Sequence, residues 1–260
     1  LERLQMDYVD ILYLHARKNK EETTEAELLQ AMIKLIEQGK VKFLGVSTHR
    51  NEPEVIQAAI DAKVYDVVLT AYNFKQKHSI EVGKAIERAS KAGLGVVAMK
   101  TQAGVYWDEE DEHKINMKAA LKWTLQNPHV HTTIPGFQTF NQLEEDLEIM
   151  EDIILSPQEI EDLKLGDEVG FLGMYCNQCE SCIAQCKEAI DIPTMMRSYM
   201  YAFGYKNFAQ AKETINSTKL KTLPCDKCGD CVVVCEAGFD VKEKLSSIYE
   251  IKNIPDQFLV

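Results

Sequence analysis

The residues best placed to do chemistry in this 260-residue chain are its eight cysteines. They fall in two runs, CNQCESCIAQC at 176–186 and CDKCGDCVVVC at 225–235. Cys176, Cys179, Cys182 and Cys186 make the first run; Cys225, Cys228, Cys231 and Cys235 make the second. Both have C-x2-C-x2-C-x3-C spacing. Disulfide frameworks belong to small secreted domains, whereas residues 1–175 here contain no cysteine. Structural zinc takes four ligands, typically as two well-separated C-x2-C pairs. A third Cys after two more residues and a fourth after three is the run that holds cubane iron–sulfur clusters. Two such runs point to two 4Fe-4S clusters, with zinc as the competing reading.

Three thiolates at every third residue wrap a tight loop around one corner of a cube, and the fourth ligand must come from elsewhere. In two-cluster ferredoxins the fourth Cys of each run ligates the other cluster. The expected sets are therefore Cys176, Cys179, Cys182 and Cys235, and Cys225, Cys228, Cys231 and Cys186. A proline normally follows the fourth Cys; here Lys187 and Glu236 stand in its place.

Between the runs, Pro193 suits a first helical turn. Met196, Tyr199, Met200 and Phe203 recur at helical spacing, and Gly204 can end that helix. A second helix is expected from Asn207 to Ile215. Helices between the cysteine loops resemble the α-helical ferredoxin module, and the Met and aromatic stripe reads as core packing.

The chain before residue 155 has a different rhythm. Strands are expected at DYVDILYLH (7–15), FLGVS (43–47), VVLTAYN (67–73), LGVVAMK (94–100) and HTTIPG (131–136). Helices are expected at 26–40, 54–62, 79–93, 118–126 and 140–150, where apolar residues recur at helical spacing. Near-continuous apolar strands alternating with helices predict a parallel sheet covered by helices. No G-x-G-x-x-G follows a strand, so a Rossmann site has no support. The strand ends are chemically loaded instead, with His15, Ser47, Thr48, His49, Tyr72, Asn73, Lys100 and Gly136. In a (β/α)8 barrel, that end of each strand lines the active site.

Composition sets outer limits. The chain is 45% apolar and 27% charged, as an ordinary globular protein is. A net charge of −12 argues against a nucleic-acid surface, which needs clustered Lys and Arg. No apolar run is long enough to span a bilayer and no secretory signal opens the sequence. A cytoplasmic setting, without membrane or nucleic-acid partners, is expected.

DYVDILYLH, VKFLGVS, TAYNF, VVAMKTQAG and TTIPGFQTFNQLEEDL resemble, in order, strands four to eight of the aldo-keto reductases. The resemblance covers about residues 1–165. With the cysteine runs, the whole chain resembles the aldo-keto reductases that carry a C-terminal ferredoxin module. It implies a partial (β/α)8 TIM-barrel-type domain, strands 4–8, at residues 1–165, and an α-helical ferredoxin-like domain with two cluster-binding runs at 166–260. It also implies an oxidoreductase acting on a carbonyl or related small molecule. The family's substrate-orienting His maps onto His15. Its Asp, Tyr and Lys lie on the first three strands, so they are expected outside this chain, in units upstream or on another chain.

The resemblance places NADP(H) against Ser47, Thr48, Asn73, Met99, Lys100, Gly136 and Gln142. Several contacts depart from the family pattern. Ser47-Thr48 stands for Ser-Asn, Leu69 for a carboxamide-gripping Gln, Met99 for a stacking Tyr. Residues 136–142 offer no Lys or Arg to a 2′-phosphate. Phe137 and Phe140 could stack on adenine or only cap the barrel. Nicotinamide carries two electrons and each cluster one, so cluster-fed chemistry needs a converter such as a flavin, for which no motif is present, or a radical route. The clusters could instead feed a redox partner protein. The alternative function is a non-catalytic electron-transfer or scaffold subunit with a degenerate barrel.

Bland readings attach to the remaining candidates. His49 is a polar loop residue or a substrate contact. His78 and His113 are solvated, and His129 and His131 lie on the stability face of the barrel. The acidic run 108–114 is a solvated loop or a lid, and Tyr106 and Trp107 line substrate or anchor that loop.

Overall fold

The computed structural model describes residues 1–102, 116–137, 139–168, 176, 178–229, 231–235 and 238–259. The chain divides into two compact units. One holds the described strands and the described residues up to Leu165; the other holds the described residues from Gly166 on, with all eight cysteines.

The first unit runs β1 (Val9–Leu14), α1 (Lys20–Thr23), α2 (Ala26–Glu37), β2 (Val41–Thr48), α3 (Glu52–Ala62), β3 (Val67–Ala71), α4 (Ser79–Lys91), β4 (Gly95–Met99), α5 (Met117–Leu125), β5 (Thr132–Ile134), α6 (Phe140–Glu148) and α7 (Pro157–Glu168). The five strands form one parallel sheet in the order β1-β2-β3-β4-β5. Parallel neighbours cannot be joined by a hairpin, which is why a helix separates each pair. This is a partial (β/α) barrel. Tyr13 pairs Gly45 in register, Ser47 pairs Leu69, and Met99 pairs both Ala71 and Ile134.

Alternation along the strands sorts side chains by face. Leu44, Val46, Val68, Val96 and Ala98 are buried and pack with Val55, Ile56, Val82, Ala85 and Ile86 of α3 and α4. The opposite face is more open than the apolar runs predict. Ile11 is 37% exposed, Phe43 49% and Ile134 50%, because five strands leave the sheet unclosed. Gly45 is required there: a Cβ would lie 2.4 Å from Tyr13 Cδ1.

The second unit contains α8 (Ile192–Tyr199), α9 (Phe208–Ser217) and α10 (Val241–Tyr249). Asp191, Asn207 and Asp240 cap them, each accepting a backbone N–H three residues on. Met195, Met196 and Tyr199 are buried with Ala211, Ile215, Leu245 and Ile248, and Cys182 belongs to the same core. The stripe between the cysteine runs is therefore core packing, as its spacing predicts. Its last turn differs: Met200–Gly204 is π-helical, a register that helical spacing does not announce. Among the described residues no helix is long and apolar enough to cross a membrane.

Candidate functional site

At the C-terminal ends of the strands, His15 follows β1 and is exposed. Ser47, buried on β2, holds it. Ser47 Oγ accepts from Ala16 N–H at 2.8 Å and lies 3.3 Å from His15 Nδ1. A hydroxyl oxygen accepts two hydrogen bonds and donates one, so this contact orients the His15 ring in either tautomer. Arg17 donates through Nε and Nη2 to the His15 carbonyl, at 3.1 and 2.9 Å. Ala16 is held at φ 54°, in the left-handed region, by these contacts on either side.

His49 is half-buried rather than a solvated loop residue. Its Nδ1 is buried and meets no hydrogen-bond partner. Burial lowers its pKa to about 4, and the charges of Lys100, His15 and Arg50 push the same way, so the ring is neutral at physiological pH. His78 is not simply solvated: its Nε2 lies 2.8 Å from Oε2 of Glu52, which is buried and also accepts from Gln76 at 2.7 Å. His131 Nδ1 accepts from Val96 N–H at 2.8 Å, a structural role at the start of β5.

The residues nominated for nicotinamide spend their polar atoms within the protein. Thr48 Oγ1 lies 2.9 Å from the Arg17 carbonyl and 2.7 Å from that of Arg50. Asn73 Nδ2 donates to the Lys100 carbonyl at 3.0 Å. Gln142 forms a capping box with Thr139 at the start of α6. Met99 is half-buried, Lys100 and Gly136 are exposed, and a Cβ on Gly136 would meet nothing within 4 Å. Four of the seven nominated residues, Ser47 among them, thus have polar partners within the protein. Phe137 and Phe140 are 50% and 83% exposed. Tyr106, Trp107, His113 and the run 108–114 lie outside the described residues.

A further polar pair, unread from sequence, lies behind β4. Gln102 Nε2 donates to Asp146 Oδ1 at 2.7 Å, and both residues are buried. Asp146 Oδ2 has no partner, and burial raises this carboxyl to about 6.

The cysteine loops are built differently. Cys182 is buried close enough to Cys176, Cys179 and Cys235 for their charges to act on it. Burial pushes its thiol up to about 11, and those three neighbours push the same way. Cys186, Cys225, Cys228 and Cys231 line a second space, a pocket of about 480 Å³ counted out to solvent, walled by Ile190, Ile192, Val241 and Leu245. Each set of four takes three thiols from one run and the fourth from the other. Among the described residues no three His, Cys, Asp or Glu gather tightly enough for one metal ion. The thiols of the second set surround a space rather than converge on a point, and eight thiols in two such sets are donors that fit iron–sulfur clusters.

Local backbone shapes the loops. Gln178 and Glu180 take φ of 57° and 63°, and Gln178 N–H reaches Cys176 Sγ at 3.4 Å. Gly229, at the position of Glu180 in the second run, has φ 70°. Alternating left-handed residues turn backbone N–H groups toward an anionic centre, as in many iron–sulfur loops. Gln178 also donates to the Pro193 carbonyl and accepts from Arg197. Gln185 pairs with the backbone of Val234 through both its amide atoms, joining the two runs.

Family comparisons agree with both halves. Residues 1–119 match the aldo/keto reductase family, and residues 175–240 match a 4Fe-4S dicluster domain. The chain thus carries an aldo/keto reductase family match followed by a 4Fe-4S dicluster match. No curated protein sequence matches it. Among solved structures, aldo-keto reductase AKR11C1 from Bacillus halodurans, holo form, is 21% identical with a TM-score of 0.50, covering 64% of this chain and 63% of its own. The thermostable aldo-keto reductase Tm1743, in complex with the inhibitor epalrestat, is 24% identical at a TM-score of 0.48, over 65% of this chain and 62% of its own. Aldose reductase from Giardia lamblia is 18% identical at 0.46, over 65% and 64%. This chain therefore spans less than two thirds of the length of these reductases, and the first supports the fold alone.

Proposed function

We propose that this aldo/keto reductase–dicluster chain is an iron–sulfur oxidoreductase acting on a carbonyl or related small molecule. Its proposed domains are 1–165 and 166–260. It holds two 4Fe-4S clusters, one on Cys176, Cys179, Cys182 and Cys235 and one on Cys186, Cys225, Cys228 and Cys231. The observation that carries this is the sorting of eight thiols into two sets of four, each drawing one member from the opposite run. When bound, such clusters supply one-electron transfer.

The chain's own residues prepare the rest of the site. Ser47 orients the His15 ring through Nδ1, and the exposed imidazole is the proposed partner of a substrate oxygen.

A second reading is an electron-transfer or scaffold subunit with a degenerate barrel. The internal hydrogen bonds of Thr48, Asn73 and Gln142 favour it, because these side chains would have to share or give up those bonds to hold NADP(H). Anaerobic purification with iron and sulfide counted, and NADPH and NADH titrated, separates the readings. About eight irons are expected from two clusters of four, with weak or no nicotinamide binding. Zinc in place of iron would refute the cluster assignment, and tight NADPH binding would restore the ordinary reductase site.

A further inference from the structure

The two thiol sets share one spacing but not one environment. In the first, Cys182 is buried at 8% exposure, and Cys176, Cys179 and Cys235 are half-buried. In the second, Cys228 and Cys231 are exposed. Val232 and Val234, just beyond them, are 52% and 74% exposed, so the rim at that loop is open and apolar. Lys242 donates to the Gly229 carbonyl at 2.9 Å, pinning the loop from behind while its cysteines stay open.

Electron transfer between proteins falls steeply with distance, so a carrier couples best to whichever centre lies at the surface. Solvent exposure also tunes cluster potential. We propose that the outer set, Cys186, Cys225, Cys228 and Cys231, is where this domain exchanges single electrons with a soluble one-electron carrier, the set around Cys182 communicating through it. The proposal rests on the two-cluster reading above. In each exchange the carrier loses one electron and the protein gains one, or the reverse; no bond or proton is transferred.

The test uses the full chain, loaded anaerobically, with reduced methyl viologen as the one-electron donor. Iron is counted first: a wild-type content far below eight atoms, or zinc instead, overturns the two-cluster reading and this proposal with it. With about eight irons present, stopped-flow reduction is compared in Cys228→Ala and Cys179→Ala. The cluster remaining in Cys228→Ala should be reduced at least tenfold more slowly than wild type, on the order of 1.4 kcal/mol in barrier. The cluster remaining in Cys179→Ala should keep the wild-type rate. The reverse pattern, or equal rates, overturns the proposal. Should either variant lose all its iron, release from wild type to a chelator decides. Two phases of about four irons each support inequivalent sets, and a single phase for all of the iron overturns them.

Discussion

The cysteine loops at 176–186 and 225–235 have identical spacing and different surroundings. The first is locked into its unit: Cys182 is in the core, and Gln178 ties the loop to Pro193 and Arg197 of α8. The second lies at the surface, its Lys227, Cys228 and Cys231 all exposed. Both need a left-handed residue between the second and third cysteines. The second supplies Gly229, whereas the first forces Glu180 into that conformation. Spacing therefore fixes which atoms can ligate, and packing decides how accessible and how strained each set is.

Changes to the ligands should separate the loops most. Cys182→Ala removes a ligand and empties a core position, so the first set's iron should be lost and thermal stability should fall. Cys231→Ala should lose the other set's iron with a smaller fall in Tm. Iron content and a melting curve on each variant read this; equal Tm losses would contradict the difference in burial.

The side chains that brace the loops come next. Gln178→Ala removes hydrogen bonds to Pro193 and Arg197 and should cost about 1–2 kcal/mol, seen as a lower denaturation midpoint. Lys227→Ala, at an exposed position, should stay within about 0.5 kcal/mol of wild type.

Exchanging the left-handed residues tests the strain. Glu180→Gly should stabilise by about 1 kcal/mol, and Gly229→Glu should destabilise by a similar amount. Both should leave the iron count unchanged, and an unchanged midpoint in both variants would remove strain from the comparison.

The strand ends supply a contrast in kind. His49 binds its proton less readily folded than unfolded, with a pKa of about 4 against 6.5. Its contribution is present above about pH 6.5 and is lost as pH falls toward 4. His49→Gln should flatten that part of the stability profile. Asp146 has the opposite sign: its raised pKa of about 6 means that stability falls as pH rises from about 3.8 to 6. Asp146→Asn should remove that decline.

Much of this was legible in the sequence. Apolar runs closed by Gly39 and Gly93, both left-handed here, located β1–β5 and the helices between them. The cysteine spacing nominated the ligand sets that iron counts test, and Met196 and Tyr199 marked the core face of α8. What escaped depends on contacts that no local pattern encodes. Ser47 meets His15 from 32 residues away, Asp146 meets Gln102 from 44, and Glu52 reaches His78 from 26. Such pairings follow from strand order and register, so His49 and His78 looked like ordinary loop residues. The exposed face of the sheet follows from the five strands that the resemblance implies and not from the apolar runs alone.

The crossed ligand sets are tested most directly by iron counts in two double variants. In Cys179→Ala with Cys235→Ala, both lost thiols belong to one set, so about four irons should remain in the other cluster. In Cys228→Ala with Cys235→Ala, the lost thiols belong to different sets, so almost no iron should remain. The opposite result, with iron lost from the first double variant and about four atoms kept in the second, would show that each run closes on its own cluster.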